Sequence, residues 1–325
     1  MLILFTIGIS NPFCFSQTGN QLKKRFYVKW VGQIPSLESQ KNEISFGHKL
    51  IDIVLGNKDV EISKPIAVLG YGTDSIIIAD QGNQTLMSFA KRKDNLDHLF
   101  SSNNSVYPSL IGICSNINND ILFTDSKLNG VFVYRFINNQ ITKFTDQLEF
   151  QQPTGIAYSK ANKETWIVET AAHKIKVFDD LGNLKKEIGG RGTEPGKFNF
   201  PTYIWIDEYG TIYIVDSLNY RIQIFNKEGE LITIFGEIGN ASGYFARPKG
   251  IATDSYGNIY IVDALFHTVQ IFDKSGNYLY NFGSQGRDQG EFWLPTGIFI
   301  DKENFIYVAD SYNSRIQIFQ LEKDE

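Results

Sequence analysis

PTYIWIDEYGTIYIVDSLNYRIQIF (residues 201–225), PKGIATDSYGNIYIVDALFHTVQIF (248–272) and PTGIFIDKENFIYVADSYNSRIQIF (295–319) lie over one another residue for residue. Self-similarity at a 47-residue spacing means supersecondary units that share one continuous core, stacked or arranged radially. Weaker copies run upstream, each marked by an opening proline and by an acid that closes the second apolar run. They are Pro65 with Asp80, Pro108 with Asp125, and Pro153 with Glu169. With Pro201/Asp216, Pro248/Asp263 and Pro295/Asp310 they make six starts, 43 to 48 residues apart.

Inside a unit the apolar residues alternate with period two between turn signals, the pattern of short antiparallel strands. In the unit from Pro201, strands are predicted over Tyr203 to Ile206, Thr211 to Val215, Arg221 to Phe225 and Leu231 to Phe235. Asp207-Glu208-Tyr209-Gly210, Asp216 to Tyr220 and Lys227-Glu228-Gly229 turn the chain between them, with glycine where a positive φ is needed. Four strands per unit make the blade of a β-propeller, so the predicted fold is all-β: six four-stranded antiparallel blades beginning near residues 65, 108, 153, 201, 248 and 295. The glycine-rich connectors between units each carry a phenylalanine at one position, Phe198, Phe245 or Phe292, expected to be wedged between neighbouring blades.

The last unit ends at Phe319 with only QLEKDE beyond, too little for a fourth strand. RFYVKWVGQIPS alternates Phe26, Val28 and Trp30 with Tyr27, Lys29 and Val31. A strand at residues 21–32 is expected to complete the last blade and remove its open edge. Residues 33–64 form a non-repeat insertion in which Phe46, Leu50 and Val54, followed by Gly56, predict a short amphipathic helix that plugs or covers the channel. Residues 17–325 read as a single propeller domain. Leu2 to Ile9 are apolar and Gln17 follows small residues, as in a secretory signal peptide over residues 1–16, which predicts a periplasmic or secreted protein. The apolar run is too short for a membrane span of about 20 residues, and after cleavage Cys114 is the sole cysteine.

The run P-x-G-I-x-x-D, then G-x-I-Y-V-x-D-x-x-N-x-R-I-Q-x-F, then F-G-x-x-G-x-x-x-G-x-F resembles the NHL repeat, over about residues 65–325. The resemblance implies a six-bladed propeller. It implies less about function, because such propellers include extracellular sensors, protein and RNA binders, and lyases that act on peptidyl-hydroxyglycine. In those lyases zinc-binding histidines stand in part directly after the blade-opening proline. Here that position holds Ile66, Ser109, Thr154, Thr202, Lys249 and Thr296. Tyr312 resembles the tyrosine-containing turn of the same lyases.

The chain has 325 residues, 42% of them apolar, and a formal charge of −5. That suffices for a large core without disulfides, and with a pI near 5.5 and no basic stripe no nucleic-acid partner is expected. Nucleophile-elbow, Walker, H-E-x-x-H and EF-hand signatures are absent from the sequence. No cofactor and no metal are expected, and the protein is expected to be a monomer. The recurring acids Asp80, Asp125, Glu169, Asp216, Asp263 and Asp310 repeat in every blade, which argues for a fold role: accepting turn amides, with Arg221 or Arg315 as ion partners.

What differs between copies is the candidate site. Ser109, Thr154, Thr202, Lys249 and Thr296 begin innermost strands and are expected to ring one mouth of the channel, hydroxyls with one ammonium for a polar or anionic ligand. His173, Tyr220, His267 and Tyr312, in the loops between second and third strands, are expected to form a face for a protein or peptide. The primary functional expectation is a non-catalytic binding or sensor module. The alternative is a metal-assisted lyase or hydrolase working in the channel mouth.

Overall fold

The computed structural model describes residues 13–16, 25–36, 60–71, 75–92, 95–100 and 106–323. Six antiparallel sheets follow one another along the chain, and among the described residues helix is limited to two 3-10 turns, Ser217–Asn219 and Ser311–Asn313. Blade 4 is representative, with strands Pro201–Ile206, Ile212–Asp216, Arg221–Phe225 and Leu231–Phe235 in sequential order. The inner strands of the other blades are Pro65–Tyr71, Leu110–Ser115, Pro153–Ser159, Pro248–Thr253 and Ile298–Ile300.

Second strands are buried on both faces, since each lies between two strands of its own blade and between two neighbouring blades. In blades 4 and 5 they read IYIVD, all five residues buried. The core therefore runs through the seams. Trp166, Val168 and Val177 of blade 3 pack with Ile204, Ile212 and Ile214 of blade 4, and Phe198 is fully buried among them. Phe245 and Phe292 do the same at the next two seams. At Gly236 (φ +94°) a Cβ would strike the Phe245 ring, so the connector needs glycine there for both its conformation and its space.

The N-terminal strand closes the ring. Arg25–Ile34 pairs antiparallel with Arg315–Lys323, from Phe26 opposite Lys323 to Ile34 opposite Ile316, with a bulge between Trp30 and Gly32. Phe26 and Val28 bury against blade 5 and blade 6 residues including Phe282 and Phe319, whereas Ile34 joins the cluster of Ile62, Val68 and Met87 on the blade 1 side. One strand thus ties both flanks of the last blade. Phe13–Ser16 adds a fifth strand on its outer edge. Otherwise the predicted leader lies outside the described residues, as does the predicted helix with Phe46, Leu50 and Val54.

Candidate functional site

The buried acids are structural. Asp216 accepts from the Asn199 amide, Asn219 Nδ2, Arg221 Nε and Gln223 Nε2. Asp310 repeats this with Trp293, Asn313, Arg315 and Gln317. Glu169 takes the Gln151 amide and the Lys176 ammonium. Asp80 and Asp125 take three amides each. Asp263 accepts backbone amides from Ala246, Arg247, Leu265 and Phe266 and has no cationic partner among the described residues; burial pushes its pKa up. These carboxylates join each second-to-third turn to the connector entering the same blade. Among the described residues no three His, Cys, Asp or Glu side chains group as metal ligands.

Most hydroxyls at the mouth are also committed. Thr154 Oγ1 lies within hydrogen-bond distance of Thr170 Oγ1 and of the Thr202 carbonyl of the next blade, and Thr170 Oγ1 of the Pro201 carbonyl, so the two hydroxyl protons are shared among three contacts. Thr296 and Ser311 bond each other and reach the Ile66 and Pro65 carbonyls, stapling blade 6 to blade 1. Thr202 pairs with Ser217. Ser109 pairs with Ser126, but it lies two residues further out than its supposed equivalents. In blade 2 it is Leu110, not Pro108, that pairs with the closing acid Asp125, as Pro153, Pro201 and Pro248 do with theirs. Ile111 therefore holds the mouth position there.

Lys249 breaks the series. Among the described residues its ammonium has no hydrogen-bond or ion-pair partner, and the hydroxyl expected opposite it is replaced by Ala264. It is half-buried, 5.9 Å from the Tyr203 ring centroid. Burial, with the nearby Arg247 charge, lowers its pKa from 10.5 to about 8. Arg247 is exposed, and its charge also acts on the Tyr203 phenol, whose pKa burial drives up.

The seam between blades 4 and 5 departs from the repeat at two further positions. Gly112, Gly155, Gly250 and Gly297 lie so close to the next blade that a Cβ would meet its backbone; at Gly250 it would come within 2.5 Å of the Thr296 carbonyl oxygen. Blade 4 has Tyr203 at this position. Secondly, the residue before the third strand adopts a left-handed conformation in every blade: Gln84, Asn129, His173, Tyr220, His267 and Ser314. In three blades its side chain accepts the amide of the residue just before the next blade's opening proline. Asn129 Oδ1 binds Gln152 N, His173 Nδ1 binds Phe200 N at 3.1 Å, and His267 Nδ1 binds Leu294 N at 3.0 Å. Burial pushes the His267 pKa down, in keeping with a neutral ring that accepts. Tyr220 has no acceptor atom suited to that bond, and the amide of Arg247, 27 residues on as in the histidine pairs, goes to Asp263 instead.

His173, buried, and His267, partly buried, are thus blade connectors that present little free surface. Tyr312 is 56% exposed, with the Lys64 ammonium 5.6 Å from its ring centroid. Because Pro201 pairs with Asp216, the second-to-third loops stand at the same end of the propeller as Lys249, so Tyr220 and Tyr312 share that face. The overlay contained the signal at Tyr203, PTY against PTG and PKG, but position alone did not mark it.

Six four-stranded blades in a ring, with the Lys249 ammonium beside the Tyr203 ring at the seam of blades 4 and 5, define a six-bladed β-propeller with a candidate ligand site. The chain belongs to the family DUF5128, 6-bladed beta-propeller, whose model matches residues 113–217 and 253–325. No curated protein matches it. Solved structures similar in fold include virginiamycin B lyase from Staphylococcus aureus, 14% identical, with TM-score 0.59 over 82% of this chain and 99% of that one. An auxiliary nutrient binding protein from Bacteroides thetaiotaomicron is 16% identical, with TM-score 0.66 over 81% and 70%. A gluconolactonase from Xanthomonas campestris is 11% identical, with TM-score 0.62 over 81% and 87%. At these identities the likeness is one of fold.

Proposed function

We propose that this protein is a non-catalytic, NHL-type binding propeller that captures a small anionic ligand at the channel mouth, over the seam between blades 4 and 5. The observation that carries the reading is Lys249, a half-buried ammonium with no acceptor among the described residues, at the position where blades 3 and 6 place a hydroxyl staple. A desolvated, unpaired cation costs free energy in the empty protein, and an anionic ligand repays it. Arg247 adds a second, exposed charge, and Tyr203 supplies an aromatic wall. Tyr220 and Tyr312 extend the same face toward a larger partner. The closing acids and the two loop histidines are engaged as fold contacts, which supports binding over metal-assisted chemistry at these residues.

Calorimetric titration with inorganic phosphate and with succinate tests the reading. Binding of at least one at pH 7, lost in Lys249→Met and falling about tenfold or more by pH 9.5 as the ammonium deprotonates, is expected. Equal affinity in the variant, or binding of neither anion, contradicts it.

Export is part of the proposal. Among the described residues no helix is long and apolar enough to cross a membrane. Cleavage before Gln17 would remove Phe13–Ser16 and leave blade 6 four-stranded like the others. A mature N-terminus at Gln17 in protein recovered after export supports this; an intact Met1 contradicts it.

A further inference from the structure

At the opposite ends of the same inner strands lies a groove of about 540 Å³, within the range of small-molecule sites. Trp205 forms its floor, Tyr209 and Tyr256 stand at its rim, and Glu208, Lys274 and Lys302 supply charges of both signs. It runs from Trp205 on the inner strand of blade 4 to Ile232 on that blade's outer strand, three strand spacings or about 14 Å.

The two rim tyrosines occupy the same turn position in consecutive blades, and the turn does not need them. Asp207 accepts the Tyr209 and Thr211 amides and the Tyr213 hydroxyl; Asp254 accepts the Tyr256 and Asn258 amides and the Tyr260 hydroxyl. Blade 6 builds the same turn on Asp301 with Glu303 in the tyrosine's place. Yet Tyr209 is 74% exposed and Tyr256 is 41% exposed, which leaves large aromatic surface in one groove from two blades. Phe26 of the closing strand packs on Tyr256 at 4.8 Å between ring centroids, fixing that wall. Trp205 Nε1 is spent on Thr253 Oγ1 at 2.9 Å, so what the indole offers a ligand is its apolar surface.

We infer that this groove is a second binding site, for a short neutral oligosaccharide. The flat carbon face of a pyranose ring presents C–H bonds with partial positive charge, complementary to the negative face of an aromatic ring. Sugar hydroxyls both donate and accept, which matches a rim with a carboxylate at Glu208 and ammonium groups at Lys274 and Lys302; a ligand of one charge meets repulsion from one set or the other. The carboxylates of Asp207, Asp254 and Asp301, which also line the groove, accept amides of their own turns.

The test is saturation-transfer NMR and calorimetry with cellotriose, maltotriose, xylotriose and mannotriose, and with N-acetyltryptophanamide as the aromatic competitor. At least one trisaccharide is expected to bind, with affinity unchanged by salt, and to lose about tenfold in Tyr209→Ala and in Tyr256→Ala. Tyr209 is exposed, so its variant keeps the fold intact, whereas Tyr256→Ala also loosens Phe26. Lys249→Met, at the other mouth, is expected to leave sugar binding unchanged, which separates this site from the anion site. Binding of no trisaccharide at about 10 mM, wild-type affinity in both tyrosine variants, or tighter binding of N-acetyltryptophanamide than of any sugar overturns the inference.

Discussion

Replacing Phe26 with alanine probes the strand that closes the ring. The side chain is 1% exposed, packed with Phe282, Phe319 and Leu321 across blades 5 and 6 and against Tyr256. Truncating a buried phenylalanine costs about 3–5 kcal/mol, the transfer loss plus the cavity left behind. At about 2.1 cal/mol/K per residue the unfolding entropy of a chain this size is about 0.7 kcal/mol/K, so the melting temperature should fall by about 4–7 °C. Val31, on the same strand but 39% exposed, is the internal control; Val31→Ala should stay within about 0.5 kcal/mol, under 1 °C. Differential scanning calorimetry reads both. If Phe26→Ala melts within a degree of Val31→Ala, the N-terminal strand is not part of the cooperative ring and the closure reasoning fails.

Lys249→Met should raise thermal stability at pH 7. Because burial holds the folded-state pKa near 8 against an ordinary 10.5, the unfolded chain binds more protons between those values, so wild-type stability rises across that window and the variant's advantage shrinks to nothing above it; an advantage independent of pH contradicts this. Asp310→Asn should cost about 3–5 kcal/mol by leaving the buried Arg315 guanidinium without its counter-charge. Asp263→Asn, which faces only backbone amides, should cost less in the same urea titration. Gly250→Ala should cost about 1–3 kcal/mol, since its Cβ would come within 2.5 Å of the Thr296 carbonyl oxygen and 2.8 Å of Ile298 N; Gly32→Ala, with open space around it, should be close to neutral by thermal melt.

The fold was legible because each blade states it again: the alternation, the turn residues and the closing acid recur, and one clear copy interprets the weak ones. The closing strand was legible for the opposite reason, an amphipathic strand with no place in the repeat beside a blade lacking one. The site was harder to read. Thr154 and Thr296 hold the mouth position, but their bonds run to carbonyls of the following blade, contacts between residues far apart in the chain that no local pattern encodes. In blade 2, Pro108 misled the alignment by two residues, because the register is set by Leu110 opposite Asp125 and not by the proline. His173 and His267 read in sequence as part of a partner face, whereas in the fold their Nδ1 atoms hold the next connector. Tyr203 in place of glycine was visible in the overlay; its meaning depended on seeing that the glycines elsewhere touch the neighbouring blade.

The anion site is tested most directly by following the titration of Lys249 itself, in protein labelled with 13Cε-lysine and with the resonance assigned by its loss in Lys249→Met. A midpoint near pH 8 is expected in the free protein, moving upward when phosphate or succinate binds and stabilises the ammonium. A midpoint near 10.5 that neither anion moves would contradict it.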